Sequence, residues 1–253
     1  MKNLLLFLIL LLSAQAAQAQ CPTGNILYVN DDAGGSNDGT SWANAFTDLQ
    51  DALNSTCPGI TQIWVAQGTY TPGTARTDAF VMKNDLAILG GFPNIGNPGI
   101  GDRNTDPLSN GTVLSGEIGL AGSGDNSVHV IFNDNNGLNN TAVLDGFIIT
   151  GGNADIGSTR GGGMFNTNSS PTVTNCSFSG NSASPLYGGG MFNGQEASPT
   201  VTNCSFFGNS AGAGGMFNLF GSFPTLTYFI PIFISATVAN YPHYALANFT
   251  IDF

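Results

Sequence analysis

Charge is what this sequence has least of. Asp, Glu, Lys and Arg make up 8% of its 253 residues, against about 25% in ordinary globular domains. The basic share is smaller still, with five Lys and Arg against 16 Asp and Glu. If a leader carrying Lys2 is removed, only Arg76, Lys83, Arg103 and Arg160 remain. Binding to phosphate needs a basic footprint, so nucleic acid and an anionic membrane surface are excluded as partners. A strongly anionic polysaccharide is an unfavourable ligand for the same reason. No apolar run reaches the roughly 20 residues of a transmembrane helix. There is no C-x-x-C pair and no histidine cluster, since His129 and His243 stand alone, which argues against zinc. No nucleophile elbow, a Gly-x-Ser-x-Gly turn between strand and helix, supports a Ser-His-Asp triad.

Glycine (35 residues), Asn, Ser and Thr take the place of charge. This composition suits short strands and tight turns, and apolar residues recurring in phase exclude a disordered chain. The phase is clearest over 161–218. Gly161-Gly-Gly-Met-Phe-Asn166 returns as Gly188-Gly-Gly-Met-Phe-Asn193 and as Gly214-Gly-Met-Phe-Asn218. Between them stand Ser170-Pro-Thr-Val-Thr-Asn-Cys-Ser-Phe178 and Ser198-Pro-Thr-Val-Thr-Asn-Cys-Ser-Phe206, each followed by Gly-Asn-Ser-Ala. A period of 25–27 residues is that of a solenoid.

Val173 and Phe178 cannot both face inward along one unbroken strand, because side chains alternate. A corner at Asn175 resolves this, since Asn tolerates the left-handed conformation. Further corners fall at Gly180-Asn181 and Gly161–Gly163. Three strands and three bends per repeat give an all-β fold: a right-handed, three-sided parallel β-helix. Met, Val, Cys and Phe should stack in internal ladders, with Asn175 over Asn203 as an amide ladder. The spacing excludes a propeller or a sandwich.

Residues 1–19 have the form of a secretory signal peptide, with Lys2, the apolar run Leu4–Leu12, and cleavage expected between Ala19 and Gln20. The alternative is a retained anchor. Gln20 is too large for a lipobox before Cys21. The β-helix domain is expected over 20–218, with an amphipathic capping helix over about 41–54. Asp31, Asp32 and Asp38 either bind Ca²⁺, the one cofactor considered, or form plain turns. The loop from Gly90 to Asn110 is expected to project from the stack. After Asn218 the repeat stops and residues 219–253 form a hydrophobic tail, expected to reflect a disrupted frame or truncation, or else a C-terminal cap.

In an exported chain, disulfides are permitted. Cys21 and Cys57 flank the expected helix and are the candidate pair. Cys176 and Cys204 stack one turn apart, as a disulfide or as internal thiols. His129 is expected to face outward from a strand. Asp145 and Asp155 show no partner at the same ladder position. Neither a lyase base with its Ca²⁺ or Arg nor a hydrolase carboxylate pair can be assembled, so no catalytic, cofactor or metal residue is named.

The Gly-Gly-Gly-Met-Phe-Asn element with Phe178-Ser-Gly-Asn-Ser-Ala183 resembles the repeat of chlamydial polymorphic outer membrane proteins. Tyr28-Val29-Asn30 through Trp42-Ala-Asn-Ala-Phe46, with Leu144-Asp-Gly-Phe147, is similar to secreted parallel β-helix proteins of the pectate-lyase-like superfamily. The resemblance covers roughly Ile26 to Asn218 and implies a secreted or cell-surface protein of a Gram-negative-type bacterium, associated with its outer membrane. The expected role is structural or adhesive, towards an extracellular glycan or a host or neighbouring cell surface. A carbohydrate-binding or polysaccharide-cleaving β-helix is the alternative.

Overall fold

The structure is a computed structural model that describes residues 21–229 apart from 158, 159, 186, 213 and 220. The expected leader with its Ala19–Gln20 cleavage point, His243 and residues 230–253 lie outside the described residues.

The chain opens with β1 (Ile26–Val29), a short helix α1 (Leu49–Asn54), β2 (Gln62–Ala66), β3 (Gly68–Tyr70) and β4 (Ala87–Phe92). A 3₁₀ turn at Ile100–Asp102 precedes β5 (Thr112–Ser115) and β6 (Ile131–Asp134). The regular coils follow: β7 (Val143–Asp145), β8 (Ile148–Thr150), β9 (Met164–Thr167), β10 (Thr172–Thr174), β11 (Ser177–Ser179) and β12 (Ser182–Ala183). The last are β13 (Met191–Gly194), β14 (Thr200–Phe207), β15 (Ser210–Ala211), β16 (Met216–Asn218) and β17 (Thr225–Phe229).

Every pairing between these strands is parallel, and together they form a β-helix of about six turns. The longest face runs β1-β2-β4-β7-β10-β14-β17. A second face stacks β3, β5, β8, β11 and the later part of β14. The third stacks β6, β9, β13 and β16.

Register explains the core. On the long face Leu27, Ile63, Ile88, Leu144, Val173, Val201 and Leu226 are successive partners. The second face contributes Tyr70, Leu114, Ile149, Phe178 and Phe206, the last two rings being parallel at 4.7 Å. The third contributes Ile131, Met164, Met191 and Met216. Each rung contributes one inward apolar side chain per face, and these columns form one continuous core.

The corners fall where the asparagines and glycines place them. Asn175 and Asn203 have φ of 51° and 49°, and Gly180 and Gly208 have 65° and 62°. Asn203 Nδ2 donates to Asn175 Oδ1 at 2.7 Å, and Asn175 Nδ2 donates to Asp145 Oδ1 at 2.7 Å. The corner is therefore an amide ladder that ends on a carboxylate.

Three expectations need correction. The helix is six residues long, not fourteen. Its N-cap is Asp48, whose carboxylate accepts from Gln50 N at 2.7 Å. The preceding stretch is taken by β1 instead: Phe46 N donates to Tyr28 O at 2.9 Å, and Asn30 N donates to Phe46 O at 2.8 Å. A backbone that pairs with a strand edge cannot also make i→i−4 bonds, and this pairing covers the edge that β1 would otherwise expose.

The loop from Gly90 to Asn110 does not project. Its backbone lies across the long face, fixed where Trp42 Nε1 donates to Pro98 O at 2.9 Å and Asn30 Nδ2 donates to Asn94 O at 3.1 Å. The repeat also does not stop at Asn218. Pro224-Thr-Leu-Thr227 is the next Pro-Thr-Val-Thr unit, with Thr225, Leu226 and Thr227 in register with Thr200, Val201 and Thr202. Leu for Val, and Tyr-Phe for Asn-Cys, disguised it.

Candidate functional site: the outer face of the long sheet

The outward side chains of the long face change character along the axis. At the β1 end they are aromatic. Tyr28 and Trp64 are register partners with ring centroids 5.8 Å apart. Trp64 stacks on Phe92 at 4.7 Å, and Trp42 lies 5.4 Å from Phe92. Trp42 and Phe92 are buried, Trp42 against Pro98 of the loop, while Tyr28 and Trp64 stay half-buried.

One rung further, this cluster meets an ion pair. Arg103 Nη1 lies 3.1 Å from Asp145 Oδ2, with the two side chains 8% and 17% exposed. The same guanidinium donates from Nε to Gly90 O at 2.7 Å and from Nη2 to Asp145 O at 2.9 Å, and lies 5.4 Å over the Phe92 ring. A planar fork with five donors suits such a set of acceptors, and a lysine does not. At its own ladder position Asp145 has Leu89 and Thr174 as neighbours, and its two polar partners come from elsewhere, Arg103 and Asn175. Nothing in the sequence connects residues 103 and 145, because the contact depends on the loop folding back.

Beyond Asp145 the face becomes neutral. Thr172, Thr200 and Thr225 form one outward column, and Thr174, Thr202 and Thr227 another. From residue 161 to 229, Glu196 is the one Asp, Glu, Lys or Arg.

The other basic residues have structural partners. Arg76 pairs with Asp155 and donates to Asn126 O at 2.8 Å and Asn153 O at 3.1 Å. Lys83 Nζ donates to Leu53 O. Arg160 lies 5.3 Å over the Phe192 ring. Of the carboxylates considered for Ca²⁺, Asp31 accepts from Thr69 N at 3.1 Å and Asp32 from Asn94 Nδ2 at 2.9 Å. Asp38 accepts from Ser36 Oγ and Thr40 Oγ1, both at 2.6 Å. Burial works to raise the Asp38 pKa, but these hydroxyls and the Thr40 N–H outweigh it and hold the carboxyl below its ordinary value. Among the described residues, no three His, Cys, Asp or Glu side chains are grouped to hold a metal ion.

His129 points away from the coil, as expected, but not into water. It stacks on Phe132 at 4.8 Å and lies 5.2 Å from Phe165, with 7% of its surface exposed. Nδ1 is 2.9 Å from Gly161 O; a carbonyl only accepts, so Nδ1 carries the proton. Burial lowers its pKa to about 4, against the opposing effects of the Gly161 bond and Asp134. A buried neutral imidazole in an aromatic row is a packing residue. The sequence clue was Phe132-Phe165-Phe192-Phe217, an outward column that needs covering.

Cys21 and Cys57 form a disulfide with Cα atoms 5.4 Å apart. Cys176 and Cys204 are buried thiols. Cys176 N donates to Cys204 Sγ at 3.4 Å. Desolvation, then the neighbouring Cys204, pushes the Cys176 thiol pKa well up, so it has no thiolate to act as a nucleophile. Gly208-Asn-Ser-Ala-Gly212 has the letters of a nucleophile elbow. Ser210, however, lies in β15 paired with Ser182, and no helix follows it among the described residues.

No protein-family model matches the chain, no curated protein matches it, and no solved structure matches it. What the chain is similar to is therefore its own repeat: a parallel β-helix of about six turns.

Proposed function

We propose that this chain is an exported, non-catalytic β-helix protein with a structural or adhesive role in the medium or at the surface of a Gram-negative-type cell, associated with its outer membrane. The observation that supports it is the use made of the basic residues. Arg76, Lys83 and Arg103 each bind backbone carbonyls of other segments, and Arg160 covers an aromatic ring. A lyase needs such a residue free to take a proton beside its substrate. The likeness of the repeats to those of chlamydial polymorphic outer membrane proteins, and of the N-terminal motifs to secreted pectate-lyase-like proteins, supports export and a surface role. The partner in this reading is an extracellular glycan or a host or neighbouring cell surface.

The half-buried Tyr28 and Trp64 rings favour a second reading, in which the aromatic end of the long face binds carbohydrate. Cell fractionation, a glycan array, and reducing-end and unsaturated-uronide assays separate these. Glycan binding without turnover supports carbohydrate recognition, and turnover of any polysaccharide overturns the non-catalytic reading.

A further inference from the structure

The two threonine columns are an ordered array of hydroxyl and methyl groups. Parallel in-register strands hold Thr172, Thr200 and Thr225 about 4.8 Å apart along the axis, and Thr174, Thr202 and Thr227 likewise. Along each strand the two threonines are separated by two residues of rise, about 6.7 Å. β-Branching leaves each side chain few χ1 choices, so the array is stiff before anything binds it. Thr172 Oγ1 donates to Asn140 O at 3.1 Å. The other five hydroxyls have no hydrogen bond to protein among the described residues.

These features select the partner. The array carries no charge, and its nearest ion, Asp145, is neutralised by Arg103, so electrostatics do not recruit the ligand. Sugar rings stack on aromatic faces, but among the described residues the accessible outward rings of these strands, Tyr28 and Trp64, sit three and more rungs away at the other end, and Phe92, two rungs away, is buried. What the array offers is a rigid two-dimensional repeat of neutral hydroxyls, able to hold water at fixed lattice positions. The spacing along the axis is close to the shorter repeat of water oxygens on the prism face of hexagonal ice, and the spacing across it is somewhat under the longer one. We propose that the threonine face of β10, β14 and β17 binds ice. The inference rests on this array and does not depend on the adhesive reading.

The test is the growth of single ice crystals, and recrystallisation in a frozen sucrose film, with the purified full chain. The expected result is faceted crystals and slowed coarsening. Thr202→Tyr, in the middle rung, should restore rounded discs and normal coarsening. Ser179→Tyr, on the neighbouring face, should behave as the parent. Thr202→Lys is the second variant should the tyrosine disturb folding, with far-UV circular dichroism on each. Rounded discs with the parent chain, or facets that survive both Thr202 variants, overturn the proposal. So does threonine-dependent retention on microcrystalline cellulose or chitin with ice growth unaffected.

Discussion

Asn166 Nδ2 donates to Asn193 Oδ1 at 2.9 Å inside the coil. The same bond joins Asn133 to Asn166 and Asn193 to Asn218, both at 2.9 Å. Met82 N donates to Asn133 Oδ1 at 3.2 Å at the start of the row, and Asn218 Nδ2 has no partner among the described residues at its end. Four asparagines that alternation places beside the methionine column are therefore a directional ladder, and buried amides are stable there because each satisfies the next.

Asn166→Ala should lower unfolding free energy by about 3 kcal/mol, because it strips a bond from both neighbours and leaves buried polar atoms unpaired. Asn218→Ala removes one bond at the row's end and should cost less. Urea denaturation of the two variants checks this, and equal losses would show that the row does not act as a ladder.

Arg103→Met should destabilise by about 3–5 kcal/mol, since it leaves Asp145 as a poorly solvated charge. Arg103→Lys should recover little of this, for one ammonium cannot serve Gly90 O and both Asp145 acceptors in the plane of a fork. Asp155→Asn, at a pair 24% and 38% exposed, should change stability by less than about 1 kcal/mol. Thermal melts of the three variants give the ranking.

His129 should make the fold acid-sensitive. Its folded pKa of about 4 lies below the ordinary histidine value of about 6.5. Between those values the unfolded chain binds a proton that the folded chain does not. Stability from this group is therefore fully present above about pH 6.5 and falls as the pH drops towards 4, by on the order of 3 kcal/mol. His129→Phe keeps an aromatic ring in the stack and should flatten the slope of stability against pH in that window, whatever it does to stability at pH 7. A slope unchanged in the variant would assign the acid sensitivity to other groups.

Gly190→Ala should destabilise by about 1–3 kcal/mol. A Cβ there would lie 2.7 Å from Gly215 O of the following coil and 2.8 Å from Phe206 Cδ1. Gly34→Ala, where a Cβ meets nothing within 4 Å, should be neutral. Midpoints of urea unfolding compare the pair.

The solenoid was legible because its signals are local and repeated: Asn175 and Gly180 mark their own corners, and Met164, Met191 and Met216 mark their own column. The candidate site was much less legible. Its chemistry comes from long-range placement, as when Arg103 reaches Asp145 only after the 90–110 loop has crossed the sheet. The shortened helix has the same cause, for Trp42 and Phe46 have helical spacing but find better partners in Pro98 and Tyr28. The β17 rung was obscured by substitution, since Thr225-Leu-Thr227 keeps the alternation and loses the flanking Asn-Cys.

Between Ala183 and Met191 lie seven residues, 184–190, whereas between the matching Ala211 and Met216 lie four, 212–215. Both pairs of strands stay in register on either side. At this bend, then, chain length changes by three residues between successive coils without shifting the register of the strands on either side. A foreign peptide grafted into that bend would be carried at a set height along the axis with every column undisturbed, which makes the fold a graduated scaffold on which position is chosen by counting coils.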